Sequence, residues 1–213
     1  SRKAAERGLG WDEVVASIHS TQLLVRGTDP NGGMRADGID LHWGAAVFEG
    51  PTRVRVGSEL LSATDVVIAT GTGPGLPPIP GLAEARPQTN RTIFTMPRQP
   101  DRLAVIGGGP IGLELGQSFL RLGSSVTLFE AAPSIAGTED PEVSMELTKI
   151  LERGGMRIVA GAQIQRVDRE EDGSVVLVTD GGRFEFDEVL VAAGRLPQVP
   201  EGLSELGLEL DKR

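Results

Sequence analysis

Leu103-Ala104-Val105-Ile106-Gly107-Gly108-Gly109-Pro110-Ile111-Gly112-Leu113-Glu114-Leu115-Gly116 is the stretch that decides the fold. Four consecutive apolar residues, bounded by glycines, describe a strand buried on both faces. The strand runs into Gly107-x-Gly109-x-x-Gly112, and a helix follows that carries Leu113, Leu115, Phe119, Leu120 and Leu122 and stops at Gly123. Ser125 to Phe129 is the next strand, so the unit is strand, tight turn, helix, strand.

In that context each glycine has a separate task. The first allows the tight turn, the second lets a diphosphate approach the backbone, and the third lets helix and strand pack closely. N–H groups at the helix start, around Ile111 to Leu113, can bind the diphosphate with help from the helix dipole. Gly116 extends the close-packed edge one turn later. Glu130 ends the second strand about 18 positions after Gly112, close to the ~20 expected of an acid that accepts ribose hydroxyls. Its carboxylate favours NAD and repels the 2′-phosphate of NADP, and Ala131-Ala132-Pro133-Ser134 offers no arginine to reverse that preference. Glu114 lies on the first helical turn, where it either stabilises the helix dipole or serves the reaction.

Composition removes other classes. The chain has 213 residues and a net charge of −9, so duplex nucleic acid and anionic membrane surfaces are not expected partners. No apolar run approaches the ~18–20 residues of a spanning helix. Zero cysteines exclude disulfides, thiolate metal sites and cysteine redox chemistry within these residues, and His19 and His42 are too few for a metal cage. Twenty-nine glycines are roughly twice the usual ~7% share, and they read as turns and close approaches. Without a targeting signal the location expected is cytoplasmic.

Outward from the central unit, residues 1–28 read as a basic, then amphipathic helical start with Trp11, Val14, Val15 and Ile18 at helical spacing. Asp29 to Gly33 reads as a loop. Short strands are expected from Ile39 onward, with a Gly57-Ser58 turn and a buried strand at Asp65-Val66-Val67-Ile68-Ala69. The proline-rich stretch from Gly71 to Gly81 is an extended crossover. Asp140-Pro141 starts a helix ending near Gly154-Gly155; strands follow around Ile158–Ala160, Val175–Thr179 and Phe184–Phe186, with a turn at Asp180-Gly181-Gly182. Glu188 to Gly194 closes the unit and echoes Asp65 to Gly71 position for position. The echo points to two nucleotide-binding domains, the first without its own glycine-rich turn.

Ala69-Thr70-Gly71, Pro77-Pro78-Ile79-Pro80-Gly81-Leu82, the Gly107 to Gly116 motif, Val126 to Glu130 and Ala192-Ala193-Gly194-Arg195-x-Pro197 occur here in one order. That series resembles the pyridine nucleotide–disulfide oxidoreductases, FAD enzymes such as dihydrolipoamide dehydrogenase and mercuric reductase. The crossover and Thr89-Asn90-x-Thr92-x-Phe94 look most like the mercuric-reductase-like branch. The resemblance implies that Gly107, Gly108, Gly109, Pro110, Ile111, Gly112, Leu113 and Glu114 bind the NAD diphosphate region, and Glu130 the adenosine ribose. It sets Ile164 near the adenine, Gly194 near the nicotinamide half, and Glu114 beside the nicotinamide–flavin contact. Ala46, Thr70, Gly71 and Thr72 would touch FAD.

The family's first glycine-rich FAD turn, its redox cysteine pair, its later FAD motif and its C-terminal dimerisation domain with a histidine base have no match in these residues, which leaves the chain without a catalytic residue of its own. The expectation is an internal fragment of α/β class: a Rossmann-type NAD-binding domain with a β-meander at 96–196, a partial FAD-binding domain of three-layer ββα type at 1–95, and a tail at 197–213 returning to it. The parent is expected to be a homodimeric, pyridine nucleotide-dependent flavoprotein oxidoreductase. It would pass a hydride from NADH through FAD to a disulfide, metal-ion or small-molecule acceptor. An NADH oxidase or ferredoxin reductase-type flavoenzyme, and a non-catalytic NAD-binding module, remain as alternatives.

Overall fold

The computed structural model describes residues 10–27 and 32–208. In chain order the elements are α1 (Trp11–Arg26), α2 (Gly32–Ala36), β1 (Ala46–Gly50), β2 (Arg53–Val56), β3 (Glu59–Ser62), β4 (Thr72–Pro74), β5 (Arg102–Ile106), α3 (Pro110–Leu122), β6 (Ser125–Glu130), α4 (Pro141–Arg153), β7 (Arg157–Ala160), β8 (Ile164–Arg169), β9 (Val175–Thr179), β10 (Gly182–Phe186), β11 (Glu188–Val191) and β12 (Arg195–Pro197). They fall into two compact units, one of Pro74–Arg195 with the N-terminal residues through Thr21, the other of Gln22–Gly73 with Leu196–Arg213. Residues 1–9 and 28–31 of the expected N-terminal helix and loop, and residues 209–213 of the expected tail, lie outside the described residues.

In the larger unit, β11, β5, β6 and β7 form a parallel sheet in that spatial order. Residues alternate across it. Leu103, Val105, Leu128 and Leu190 pack with α3 and α4 side chains such as Leu113, Phe119 and Leu151 on one face. Ala104, Ile106, Phe129, Val189 and Val191 pack on the other with Val167, Val175, Leu177 and Phe186 of an antiparallel meander, β8-β9-β10. Helices, parallel sheet and meander are therefore three stacked layers, the α/β arrangement expected. Phe129 anchors the meander with edge-on contacts to Phe184 and Phe186, centroids 5.3 and 5.9 Å away. Trp11 joins the helical side: it lies 5.6 Å from the Phe119 ring, and its indole N–H donates to the Met96 carbonyl at 2.8 Å.

Local signals hold where the chain closes its own turns. Helix α3 ends at Gly123, whose φ of 111° lets it cap in the left-handed region. Helix α4 begins at Asp140-Pro141 as expected, although the Asp140 carboxylate makes no capping bond. Strand β8 was not foreseen. Its sequence is polar, Gln165-Arg166-Val167-Asp168-Arg169 after Ile164, and only Val167 is fully buried, so its pairing with β9 rather than its composition makes it a strand.

In the smaller unit, β1, β2 and β3 form an antiparallel sheet, with the expected Gly57-Ser58 turn between β2 and β3. Two expectations fail here. Gly32-Gly33 opens the short helix α2 rather than completing a loop. Asp65–Ala69 is not a strand, and Val67 is 88% exposed. A buried parallel strand needs a neighbour for its backbone N–H and C=O groups, and none of the described residues pairs with this stretch, whereas its echo at Glu188–Val191 pairs with β5.

Candidate functional site

The order β11-β5-β6-β7 puts a topological switch at β5: the chain moves from β5 through β6 to β7 on one side, then returns as β11 on the other. In such sheets the carboxyl ends of the two strands at the switch diverge and leave a crevice. Here the crevice is a cleft of about 620 Å³ lined by Gly107 and Gly109 after β5, by Glu130 and Ala131 after β6, and by Ala192 to Arg195 after β11. Pro110 and Ile111 at the start of α3, Ile164 at the start of β8, and Pro77 and Ile79 of the crossover complete it.

Three glycines of the motif have different surroundings. At Gly107, φ is 113°, and a Cβ would lie 2.5 Å from the Ala192 carbonyl oxygen, because β5 and β11 leave the sheet side by side. At Gly112 a Cβ would overlap the Gly107 carbonyl oxygen, so the helix start rests directly on the turn. At Gly109 a Cβ would meet nothing within 4 Å, and the backbone there is extended (φ −79°). Packing of the protein on itself thus explains the first and third glycines. It leaves the second bare, facing the cleft.

Helix α3 presents its N-terminus at the same place. Its first α-type bond runs from the Leu113 N–H to the Gly109 carbonyl at 3.0 Å, so the Ile111 and Gly112 amides precede the ladder and Pro110 has none to satisfy. Their dipoles favour an anion beside Gly109. On the same cleft the Glu130 carboxylate is held by two backbone donors. Gly108 N–H donates to Oε2 at 2.6 Å, and Ala132 N–H donates to Oε1 at 2.7 Å. Each oxygen keeps a lone pair for a further donor. The cleft therefore offers amides that suit an anion and a carboxylate that suits hydroxyl donors, in a mainly apolar lining.

Residues 13–213 match the family model described as pyridine nucleotide-disulphide oxidoreductase. The chain belongs to that family. It is 40% identical over 178 residues to a mercuric reductase of Lysinibacillus sphaericus, a match covering 82% of this chain and 33% of that protein. It is 37% identical over 188 residues to a dihydrolipoyl dehydrogenase of Thermus scotoductus, covering 84% of this chain and 40% of the relative. The match thus spans 33–40% of the length of these curated relatives. In fold it resembles the HOCl-induced flavoprotein disulfide reductase RclA from Escherichia coli, with a TM-score of 0.86 at 24% identity over 100% of this chain and 49% of the other.

Of the residues singled out in this family member, Gly107, Gly109, Pro110, Ile111, Glu130, Ile164 and Gly194 come together on the cleft. Gly108, Gly112, Leu113 and Glu114 do not line it: Gly112 and Leu113 are buried beneath the turn, and Glu114 is exposed on α3. Ala46, Thr70, Gly71 and Thr72 belong to the smaller unit, apart from Gly73-Pro74, where β4 leaves it. There the tail draws two segments together: Phe48 N–H on β1 donates to the Glu201 carbonyl at 2.9 Å, and Gln198 N–H donates to the Gly71 carbonyl at 3.0 Å. The Thr70 hydroxyl also donates to the Gln198 carbonyl. Pro77, Ile79, Ala162, Gln163 and Arg195 line the cleft without having been singled out as site residues. Pro77, Ile79 and Arg195 stand in motifs of the series; Ala162 and Gln163 carry no local signal. Among the described residues no helix is long and apolar enough to cross a membrane, and no cluster of His, Asp and Glu could hold a metal ion.

Proposed function

We propose that the 620 Å³ cleft binds NADH, and that the chain is the pyridine nucleotide-binding part of a flavoprotein that passes a hydride from NADH through FAD to a disulfide or metal-ion acceptor. The carrying observation is Gly109, the one glycine of the G-x-G-x-x-G pattern that the protein's own packing does not require, set beside the amides of α3 on the cleft that Glu130 also lines. A diphosphate at Gly109 would receive Ile111 and Gly112 N–H bonds. An adenosine ribose would donate its hydroxyls to Glu130, while a 2′-phosphate there would meet a carboxylate. Ile164 and the mainly apolar lining suit an adenine face, and Gly194 leaves room at the opposite strand exit.

The flavin, when bound, supplies the hydride acceptor, because no side chain here performs that chemistry. Ala46, Thr70, Gly71 and Thr72 are the residues assigned to it on this reading. With no cysteine in its 213 residues, the chain would hand electrons on through groups it does not itself contain. The domains that go with this function are 96–196 for NAD, and 1–95 with 197–213 for FAD. The test is a map of coenzyme contacts by amide NMR on the whole chain. NADH should shift the amides of Gly107, Gly108, Gly109, Ile111, Gly112, Glu130, Ile164 and Gly194, and shifts confined to other residues would refute the site.

A further inference from the structure

We propose that Gly108 and the Ile135-Ala136 turn form a latch that positions the Glu130 carboxylate, and so sets how strongly the cleft prefers NADH over NADPH. The inference rests on the cleft being the coenzyme site, as proposed above. Neither Gly108 nor Ile135 lines that cleft, yet Gly108 is bonded to Glu130 and the Ile135-Ala136 turn is bonded to Gly108. Gly108 N–H donates to Glu130 Oε2 at 2.6 Å, and the Gly108 carbonyl accepts the Ala136 N–H at 2.8 Å. A Cβ at Gly108 would lie 2.9 Å from Ile135 Cγ2 and 3.1 Å from Glu130 Oε2.

The turn itself has little freedom to yield. Ile135 is 1% exposed, and its carbonyl accepts the buried Ser144 hydroxyl of α4 at 2.6 Å. Ala136 sits at φ 50°, a region a non-glycine residue holds only when its surroundings enforce it, and its carbonyl accepts the Glu139 N–H at 2.9 Å. Gly108 does not have a positive φ, so its backbone suits alanine and the penalty of a methyl group is steric alone. With Ile135 fixed, the Gly108 backbone itself must shift to admit such a methyl, and its N–H then leaves the Glu130 carboxylate it holds at 2.6 Å. Hydrogen bonds to ribose hydroxyls weaken steeply with misplacement, and the repulsion of a 2′-phosphate falls as the carboxylate retreats.

The decisive experiment is a fluorescence titration of NADH and NADPH into the full chain and its Gly108→Ala and Ser144→Ala variants, with circular dichroism as the fold check. Gly108→Ala should raise the NADH Kd about tenfold, the value of one lost charge-assisted bond, and leave the NADPH Kd unchanged or lower. Ser144→Ala, which frees the Ile135 carbonyl, should lower the NADH-over-NADPH preference about threefold. If Gly108→Ala does not fold, Ser144→Ala decides. Equal factors on both coenzymes, or an unchanged ratio in the folded variants, overturn the latch alone. A wild-type chain that binds neither coenzyme overturns both the latch and the coenzyme site.

Discussion

Glu130, at the end of β6, accepts a hydrogen bond from the backbone N–H of Gly108, 22 residues earlier, at 2.6 Å. The bond ties the end of one parallel strand to the turn after its neighbour. It fixes an acceptor on the cleft that also carries the first amides of α3, so the cleft holds both donors for an anion and a carboxylate for hydroxyl groups.

Charge reversal at that carboxylate should exchange the coenzymes. Glu130→Arg removes the ribose acceptor and supplies a partner for a 2′-phosphate. NADH affinity is expected to fall at least about tenfold while NADPH affinity rises. Dissociation constants for both coenzymes by fluorescence check this, and unchanged values for both would remove Glu130 from the site.

The glycines of the turn should separate into two kinds. Gly112→Ala drives a methyl group into the Gly107 carbonyl, a backbone atom that cannot step aside, and should destabilise the chain by about 2–3 kcal/mol. Gly109→Ala adds a methyl group to open space and should change stability by less than about 0.5 kcal/mol. Only the latter should fold normally and still lose NADH. Urea unfolding alongside coenzyme titration distinguishes them.

Arg169 ties two loops of the larger unit to the start of β11. Its guanidinium donates to the Ala85 carbonyl at 2.8 Å, the Gly173 carbonyl at 2.8 Å and the Glu188 carboxylate at 2.7 Å. The pair is only partly screened by solvent, with side-chain exposures of 28% and 16%. Arg169→Ala leaves Glu188 without its cation and two carbonyls without a donor. A loss of about 2 kcal/mol in urea unfolding is expected.

Asp187 gives the fold an acid-sensitive contact. Burial acts to raise its pKa, but hydrogen bonds from the Arg102 side chain and N–H outweigh burial, and the net shift is downward. A carboxyl depressed on folding contributes stability above its unfolded value of about 3.9, and that contribution is lost as pH falls through the lower folded value. The stability gap between wild type and Asp187→Asn should therefore be full at pH 6 and close below about pH 4. A gap that stays constant on acidification would contradict the assignment.

What the sequence made legible was what the chain specifies locally. The strand, turn and helix at 103–122 carry their own punctuation: Gly107 needs a positive φ, Pro110 fits the first helical position, and Gly123 caps the end. Features that depend on distant partners were not legible. Val66, Val67 and Ile68 have strand composition, but no described residue pairs with them, and they stay outside any sheet. Val167 sits in a polar run that only pairing with β9 makes a strand. Pro77 and Ile79 reach the cleft because the crossover folds back on the unit, with Val167 N–H donating to the Pro80 carbonyl at 2.9 Å. Gly108 looked like the variable position of the motif; its tie to Ile135 appears only when the turn after β6 is in place.

Calorimetric titration of the whole chain with NADH and NADPH decides whether the cleft is a coenzyme site whose preference Glu130 sets. The expected result is saturable one-to-one binding of NADH, with NADPH at least about tenfold weaker. Absence of heat with either coenzyme, or tighter binding of NADPH, would contradict it.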